Sequence, residues 1–162
     1  MLLAVKAILE KWIGKYTDLS LAFSGDINCH HNYAALENHY GEDVWVHRKG
    51  AVRAGNGELA VIPGAMGSYS YVVMGKGNPE SFCSSSHGAG RQYSRKGAMA
   101  AFTCEEVMLD LQKQGVILGK KGKADVAEES RFAYKNIEDV MDNQTDLVVP
   151  VKRLKTIGVV KG

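Results

Sequence analysis

The segment SSSHGAGRQYSR, residues 84–95, sets a single histidine, His87, among small residues. A neutral imidazole is a competent nucleophile toward phosphorus. Gly88, Ala89 and Gly90 follow it and leave backbone N–H groups open to an anion. A helix starting near Gly88 would add the favourable field of its N-terminus. Arg91 and Arg95 would then stand one turn apart, able to face the same phosphate. The plainer alternative is a histidine that only caps or braces a helix start, since an isolated motif has a high false-positive rate.

Three other stretches carry chemistry-bearing residues. In PGAMGSYSY, Pro63 sets the entry angle, Gly64 and Gly67 let the backbone curl, and Ser68 and Ser70 offer hydroxyls. Such a loop wraps a purine base or a phosphate, or is simply a tight turn between two strands. In INCHHNYA, His30 and His31 sit at a strand-to-helix junction. Neighbouring strand residues point to opposite faces, so both cannot serve one metal. One imidazole is short of the about four ligands of Zn²⁺ or six of Mn²⁺. His30 reads best as a surface residue and Cys29 as a small core residue. In VHRKGAVRA, residues His47, Arg48, Lys49 and Arg53 gather positive charge, either to hold a polyanion or as ordinary solvated charges. Lys49 and Arg53 share a face if the strand runs through. Lys161, next to last, reads by residue type as a frayed end.

The elements that must hold these residues are legible in part. Residues 2–15 show an amphipathic helical stripe (Leu2, Leu3, Val5, Ile8, Leu9, Trp12) that has to be buried, by default against the rest of the chain. LAFSGDINC reads as a short strand into a turn. HNYAALENHYGED has helical character, with Tyr33, Leu36 and Tyr40 near one face and Gly41 as a stop. VWVHRKGAV alternates as a strand, RAGNGEL is a turn, and AVIPGAMGSYSYVVMG is a strand, a glycine-broken loop and a strand. GKGNPESFCSSS reads as a loop. Helices are expected from Ala89 to about Phe102, from Cys104 to Gln114 and over NIEDVMDNQ. LVVPVKRLKTIGVVKG should be a terminal strand pair or an extended tail, with Pro150 at an edge. Strands and helices mix without βαβ alternation, so the fold class is α+β.

The bulk numbers exclude some classes. A net charge of +2 on 162 residues is too small to mark a nucleic-acid binder, so an anion site must be local. No apolar run reaches the about 20 residues that span a bilayer, and the opening apolar stretch is broken by Lys6, Glu10 and Lys11. Three cysteines without a CxxC pair argue against a disulfide framework and suit a reducing cytoplasm.

Taken in order, HHN (30–32), VHRKGAVRAG (46–55), VIPGAMGSYSY (61–71), HGAGRQYSR (87–95) and the closing KG (161–162) resemble one family, the RtcB RNA-splicing ligases, and its bacterial branch in particular. The resemblance runs from about Gly25 to the end. It implies a mixed-sheet fold peculiar to that family and an enzyme that joins an RNA 3′-phosphate, or 2′,3′-cyclic phosphate, end to a 5′-hydroxyl end, with GTP and Mn²⁺. His87 then resembles the histidine that attacks the α-phosphate of GTP and carries GMP. His31 resembles a Mn²⁺ ligand and Asn32 a residue near the nucleotide. Pro63, Gly64, Ala65 and Met66, with Ser70, resemble the guanylate-binding loop. Gly88, Ala89 and Gly90 resemble its phosphate-side backbone, and Lys161 a lysine that reaches the guanine. Lys49, Arg91 and Arg95 match basic positions near phosphates.

Family members are much longer, and an aspartate, a cysteine and two further histidines of their metal set have no counterpart here. The reading is therefore of a C-terminal segment with its core incomplete, a truncated or split gene product, that would not ligate RNA by itself. Three functions stay open. One is the guanylate-carrying part of an RNA ligase. Another is a non-catalytic fragment that binds nucleotide or RNA, or pairs with a separate N-terminal RtcB-like fragment through its opening helix. The third is a family member redirected to capping or repairing DNA ends.

Overall fold

Tyr40 and Gly41 both take left-handed backbone, φ 56° and 85°, and turn strand β1 (Asn32–His39) back onto strand β2 (Glu42–Lys49). Two consecutive left-handed residues match the twist of an antiparallel hairpin. The pair runs in register from Asn32 opposite Lys49 to His39 opposite Glu42. Helical character is thus corrected to a hairpin, and the reason lies in its inverted pattern. Leu36 and Trp45, cross-strand partners, point outward at 56% and 66% exposure. The inward face carries Tyr33, Glu37 and Arg48 instead.

That inward face is a polar network centred on Arg48, which is 2% exposed. Its Nη1 donates to Glu37 Oε1 (2.5 Å) and Tyr33 Oη (3.2 Å). Its Nη2 donates to Glu37 Oε2 (2.9 Å) and the Phe82 carbonyl (2.8 Å), and Nε to Ser84 Oγ (2.9 Å). All five guanidinium N–H groups are used. The Arg48 hydrogen bond, outweighing burial and aided by His39, holds the Glu37 carboxyl at about 2. Arg48 is therefore spent on folding, not on a polyanion.

The computed structural model describes residues 2–119 and 126–160. After helix α1 (Leu2–Tyr16), residues 17–31 form neither helix nor strand, so the strand expected in LAFSGDINC is absent. Strand β3 (Ala51–Arg53) continues β2 beyond Gly50. Strands β4 (Leu59–Ile62) and β5 (Ser70–Gly75) flank the loop carrying PGAMG. Strand β6 (Ser84–Ser86) pairs antiparallel with β3. Helices α2 (Arg95–Ala101) and α3 (Cys104–Gln114) precede β7 (Ile117–Gly119), and helix α4 (Ile137–Asp142) precedes β8 (Val148–Leu154) and β9 (Gly158–Val160). The sheets are small: β1–β2, β3–β6, β4–β5–β8 and a parallel β7–β9 pair. The architecture is α+β, as expected.

Local signals explain the elements read correctly. Thr103 and Glu106 form a reciprocal capping box on α3, and Gly115 closes it in left-handed backbone. Pro150 lies on β8, an edge strand, beside an irregularity opposite Val72 and Val73. The two terminal strands pair with β5 and β7 rather than with each other.

Two expectations are corrected by tertiary contacts. Only Arg95–Ala101 of the segment 89–102 is helical, capped by the Ser94 side chain accepting from Gly97 N–H. Residues before it are held in an irregular loop: Lys135 N–H donates to the Gly90 carbonyl, and Gln92 and Tyr93 N–H both donate to the Ala133 carbonyl. The apolar stripe of α1 is not buried: Leu2, Leu3, Val5, Ile8, Leu9 and Trp12 are all exposed. The helix meets the described remainder through Lys6, which bonds Asp26 at 2.5 Å and lies over the Phe23 ring. The buried clusters close without it. One unites Val52, Ile62, Tyr71, Val73, Ile137, Met141 and Val148, and the other Met66, Val107, Leu111, Val116 and Val126.

Candidate functional site

Gly50 stands between two strand partners. Its N–H donates to the His31 carbonyl (3.3 Å), and its own carbonyl accepts from His87 N–H (3.3 Å). These bonds prolong the β1–β2 and β3–β6 ladders by one residue each. The turn from β2 into β3 needs φ +80° at this position, which glycine supplies without strain. The two imidazoles thereby meet, with ring centroids 5.0 Å apart and planes 22° from parallel. Burial first, and the neighbouring His31 second, hold the His87 imidazole below its usual pKa. A neutral ring with a free lone pair results at neutral pH.

These rings face a cavity of about 870 Å³. The loop after β4 forms one wall with Pro63, Gly64, Ala65 and Met66, and the segment after β6 forms another with Gly88, Ala89, Gly90 and Arg91. The walls press closely: a Cβ on Gly88 would stand 3.1 Å from the Pro63 carbonyl. Gly64 admits no side chain, since a Cβ there would lie 2.0 Å from the Tyr69 carbonyl. Val52, Val61, Val159 and Val160 add apolar surface. The volume and the mix of apolar wall with few polar groups suit a nucleotide-sized ligand.

The candidates divide as follows. His31, Pro63, Gly64, Ala65, Met66, His87, Gly88, Ala89, Gly90 and Arg91 line the cavity. Ser70 does not, but its Oγ accepts from Gly64 N–H (3.1 Å) and so shapes the loop. Asn32 and Lys49 pair across the exposed end of the hairpin, outside the cavity lining. Arg95 is 72% exposed and 4.0 Å from Glu128. Lys161 lies outside the described residues.

Arg91 and Arg95 are not neighbours on a helix, because α2 starts at Arg95. Arg91 is engaged by protein: Nη1 donates to the Glu128 carbonyl (2.6 Å), Nη2 to Glu129 Oε1 (3.0 Å), and the guanidinium lies 4.6 Å from the Tyr134 ring centre. Tyr134 Oη donates to Glu129 Oε2 (2.9 Å), and burial with this bond pushes the phenol up to about 12. Glu129 also anchors the other wall, its carbonyl accepting from Met66 N–H (3.3 Å).

Glu129, Tyr134 and Thr156 line the cavity without having been singled out in the sequence. Nothing in local spacing separates Glu129 from adjacent Glu128. Thr156, whose Oγ1 donates to the Ser68 carbonyl (2.8 Å), sits in a stretch read only as strand or tail.

His30 is outside the cavity lining and meets the Tyr33 ring edge-on, although the strand whose alternation was expected to separate it from His31 is absent. Among the described residues no group of three or more His, Cys, Asp or Glu side chains is placed to hold a metal ion. His31 and His87 together offer at most two nitrogen donors, short of the about four of Zn²⁺ or six of Mn²⁺, so these residues do not form a divalent-cation site by themselves. No described helix is long and apolar enough to cross a membrane. The three cysteines are unbridged.

The family model described as tRNA-splicing ligase RtcB matches residues 1–162. Among curated proteins, the chain is 42% identical over 159 residues to the RNA-splicing ligase RtcB of Escherichia coli K12, covering 98% of this chain and 37% of that relative. It is 39% identical over 153 residues to the tRNA-splicing ligase RtcB of Methanococcus maripaludis, covering 82% of this chain and 32% of the relative. To the RNA-splicing ligase RtcB of Mycobacterium tuberculosis it is 38% identical over 152 residues, 82% of this chain and 35% of the relative. The chain thus spans about a third of the length of these relatives.

Proposed function

The chain belongs to the RtcB family, and on that premise we propose that it is the guanylate-carrying part of an RNA ligase. The observation that carries this reading is that the His87 ring, stacked on His31, lines a nucleotide-sized cavity together with the two glycine-rich segments.

In the proposed reaction, the unprotonated His87 nitrogen attacks the α-phosphorus of GTP. The phosphorus–nitrogen bond forms as the bond to pyrophosphate breaks. A 3′-phosphate oxygen of RNA then takes the GMP from His87. The 5′-hydroxyl of the second RNA end attacks that activated phosphate and expels GMP. The loop Pro63–Met66, braced by Ser70, would hold the base side, and the backbone at Gly88–Gly90 the phosphate side. Mn²⁺ would supply Lewis-acid polarisation of the phosphates. This chain's part in that site is one donor, His31. The remaining ligands are not provided by its described residues.

The test supplies radiolabelled GTP and Mn²⁺ to the chain alone and to the chain fused behind the N-terminal part of the Escherichia coli relative. An acid-labile label on the fusion, lost in His87→Ala, supports the ligase. Reversible nucleotide binding by both without any adduct would instead establish the non-catalytic fragment. RNA ends bearing 3′-phosphate and 5′-hydroxyl should be sealed by the fusion and not by the chain alone.

A further inference from the structure

Gln144 follows α4 and is 4% exposed, an amide buried beside the apolar Met141 and Val148. Its Oε1 accepts two hydrogen bonds from a single residue, Ser86 N–H (3.1 Å) and Ser86 Oγ–H (3.1 Å). Its Nε2 donates to Met141 Sδ (3.4 Å), a weak acceptor. Ser86 ends β6, and the next residue is His87, whose N–H is held by the Gly50 carbonyl. The strand end that presents the nucleophile is thus held along one edge by β3 and Gly50, and on its other side by one buried side chain. An apolar residue of similar size would suit these neighbours without the cost of burying an amide. The amide is explained if its task is to place Ser86.

We propose that Gln144 is a positioning residue for His87: by gripping Ser86 it fixes the backbone from which the imidazole reaches the α-phosphorus. This rests on the guanylylation reading above. Displacements of about an ångström at a reacting centre cost on the order of a hundredfold in rate. A grip one residue from the nucleophile therefore acts on the chemical step more than on nucleotide affinity.

The test uses three variants. Gln144→Met keeps volume and removes the acceptor. Gln144→Glu restores an acceptor oxygen. Ser86→Ala removes only one of the two bonds and guards against misfolding of the first. Amide hydrogen exchange on the full chain, without nucleotide, is read at His87 and at Val52 in the core. Exchange at His87 should accelerate about tenfold or more in Gln144→Met, less in Ser86→Ala, and return to within about threefold of the parent in Gln144→Glu, with Val52 unchanged. On the fusion, the guanylylation rate constant should fall in the same order while the KM for GTP stays within about twofold. Equal acceleration at Val52 and His87 would mean general destabilisation and overturn the proposal. So would a Gln144→Met chain with unaltered exchange, or a loss carried by KM. Absence of a label on the parent fusion would refute guanylylation alone, since the exchange pattern still decides whether Gln144 holds His87.

Discussion

The ring of His87 lies over that of His31, centroid to centroid 5.0 Å, although the two are far apart in sequence. The contact is made by Gly50, whose two peptide groups hold the two histidine backbones from opposite sides.

Gly50→Ala should therefore destabilise the chain by about 1–2 kcal/mol, the cost of left-handed backbone for an ordinary residue. The added methyl is not the cause, since it would meet the His87 ring at an ordinary 3.8 Å. Gly50→Asn should cost less, because asparagine tolerates that region. Urea denaturation of both variants checks the order.

Acid should weaken the hairpin in a defined window. Arg48 chiefly depresses the Glu37 carboxyl from 4.5 to about 2. A lowered folded-state value contributes stability above the unfolded pKa, and that contribution is lost as pH falls from 4.5 toward 2. Glu37→Gln should cost about 3 kcal/mol at neutral pH, since it leaves Arg48 buried without its counter-charge. It should also flatten the acid limb of the stability curve between those values, measured by urea denaturation across pH.

If the cavity takes GMP as proposed, Ser70→Ala should weaken that binding without removing a group from the cavity wall. The Ser70 hydroxyl accepts from Gly64 N–H, and that bond shapes the Pro63–Met66 loop. Loss of one such bond is worth about 1 kcal/mol, or roughly fivefold in affinity. Isothermal titration calorimetry with GMP decides it, and an unchanged affinity would show that the loop holds its form without Ser70.

The two arginines behind His87 should part company. Arg91→Ala should lower stability by about 1–3 kcal/mol, because it bonds Glu128 and Glu129 and covers Tyr134. Arg95→Ala should change stability by less than about 0.5 kcal/mol, its side chain being exposed and its ion pair long. If Arg95 meets phosphate, ligation by the fusion falls in Arg95→Ala at unchanged Tm.

Much of the fold was legible where local chemistry decides. The helix expected from Cys104 to Gln114 and the alternation of VWVHRKGAV rest on short-range pattern, and the elements they imply are present. The hairpin Asn32–Lys49 was not legible, because its inner face is polar around Arg48 and its outer face carries Leu36 and Trp45. Periodicity reports burial only when apolar residues face inward. The loop 88–94 was misread for another reason: the carbonyl of Ala133 and the N–H of Lys135, distant in sequence, satisfy a backbone that would otherwise turn helical.

By itself, the order of residue types named the chemistry: a histidine before HGAGR's glycines, a Pro-Gly loop and a His-Asn pair, each recognisable within a few positions. Only the tertiary structure decided which of them meet. It joined His31 to His87 through Gly50, set Arg91 against Glu129 and Tyr134, left Arg95 in solvent, and brought in Glu129 and Gln144 from the far end of the chain. Residue type fixes what a group can donate, accept or attack. Distance and desolvation decide what it does, and both arise from long-range pairing that no local stretch encodes.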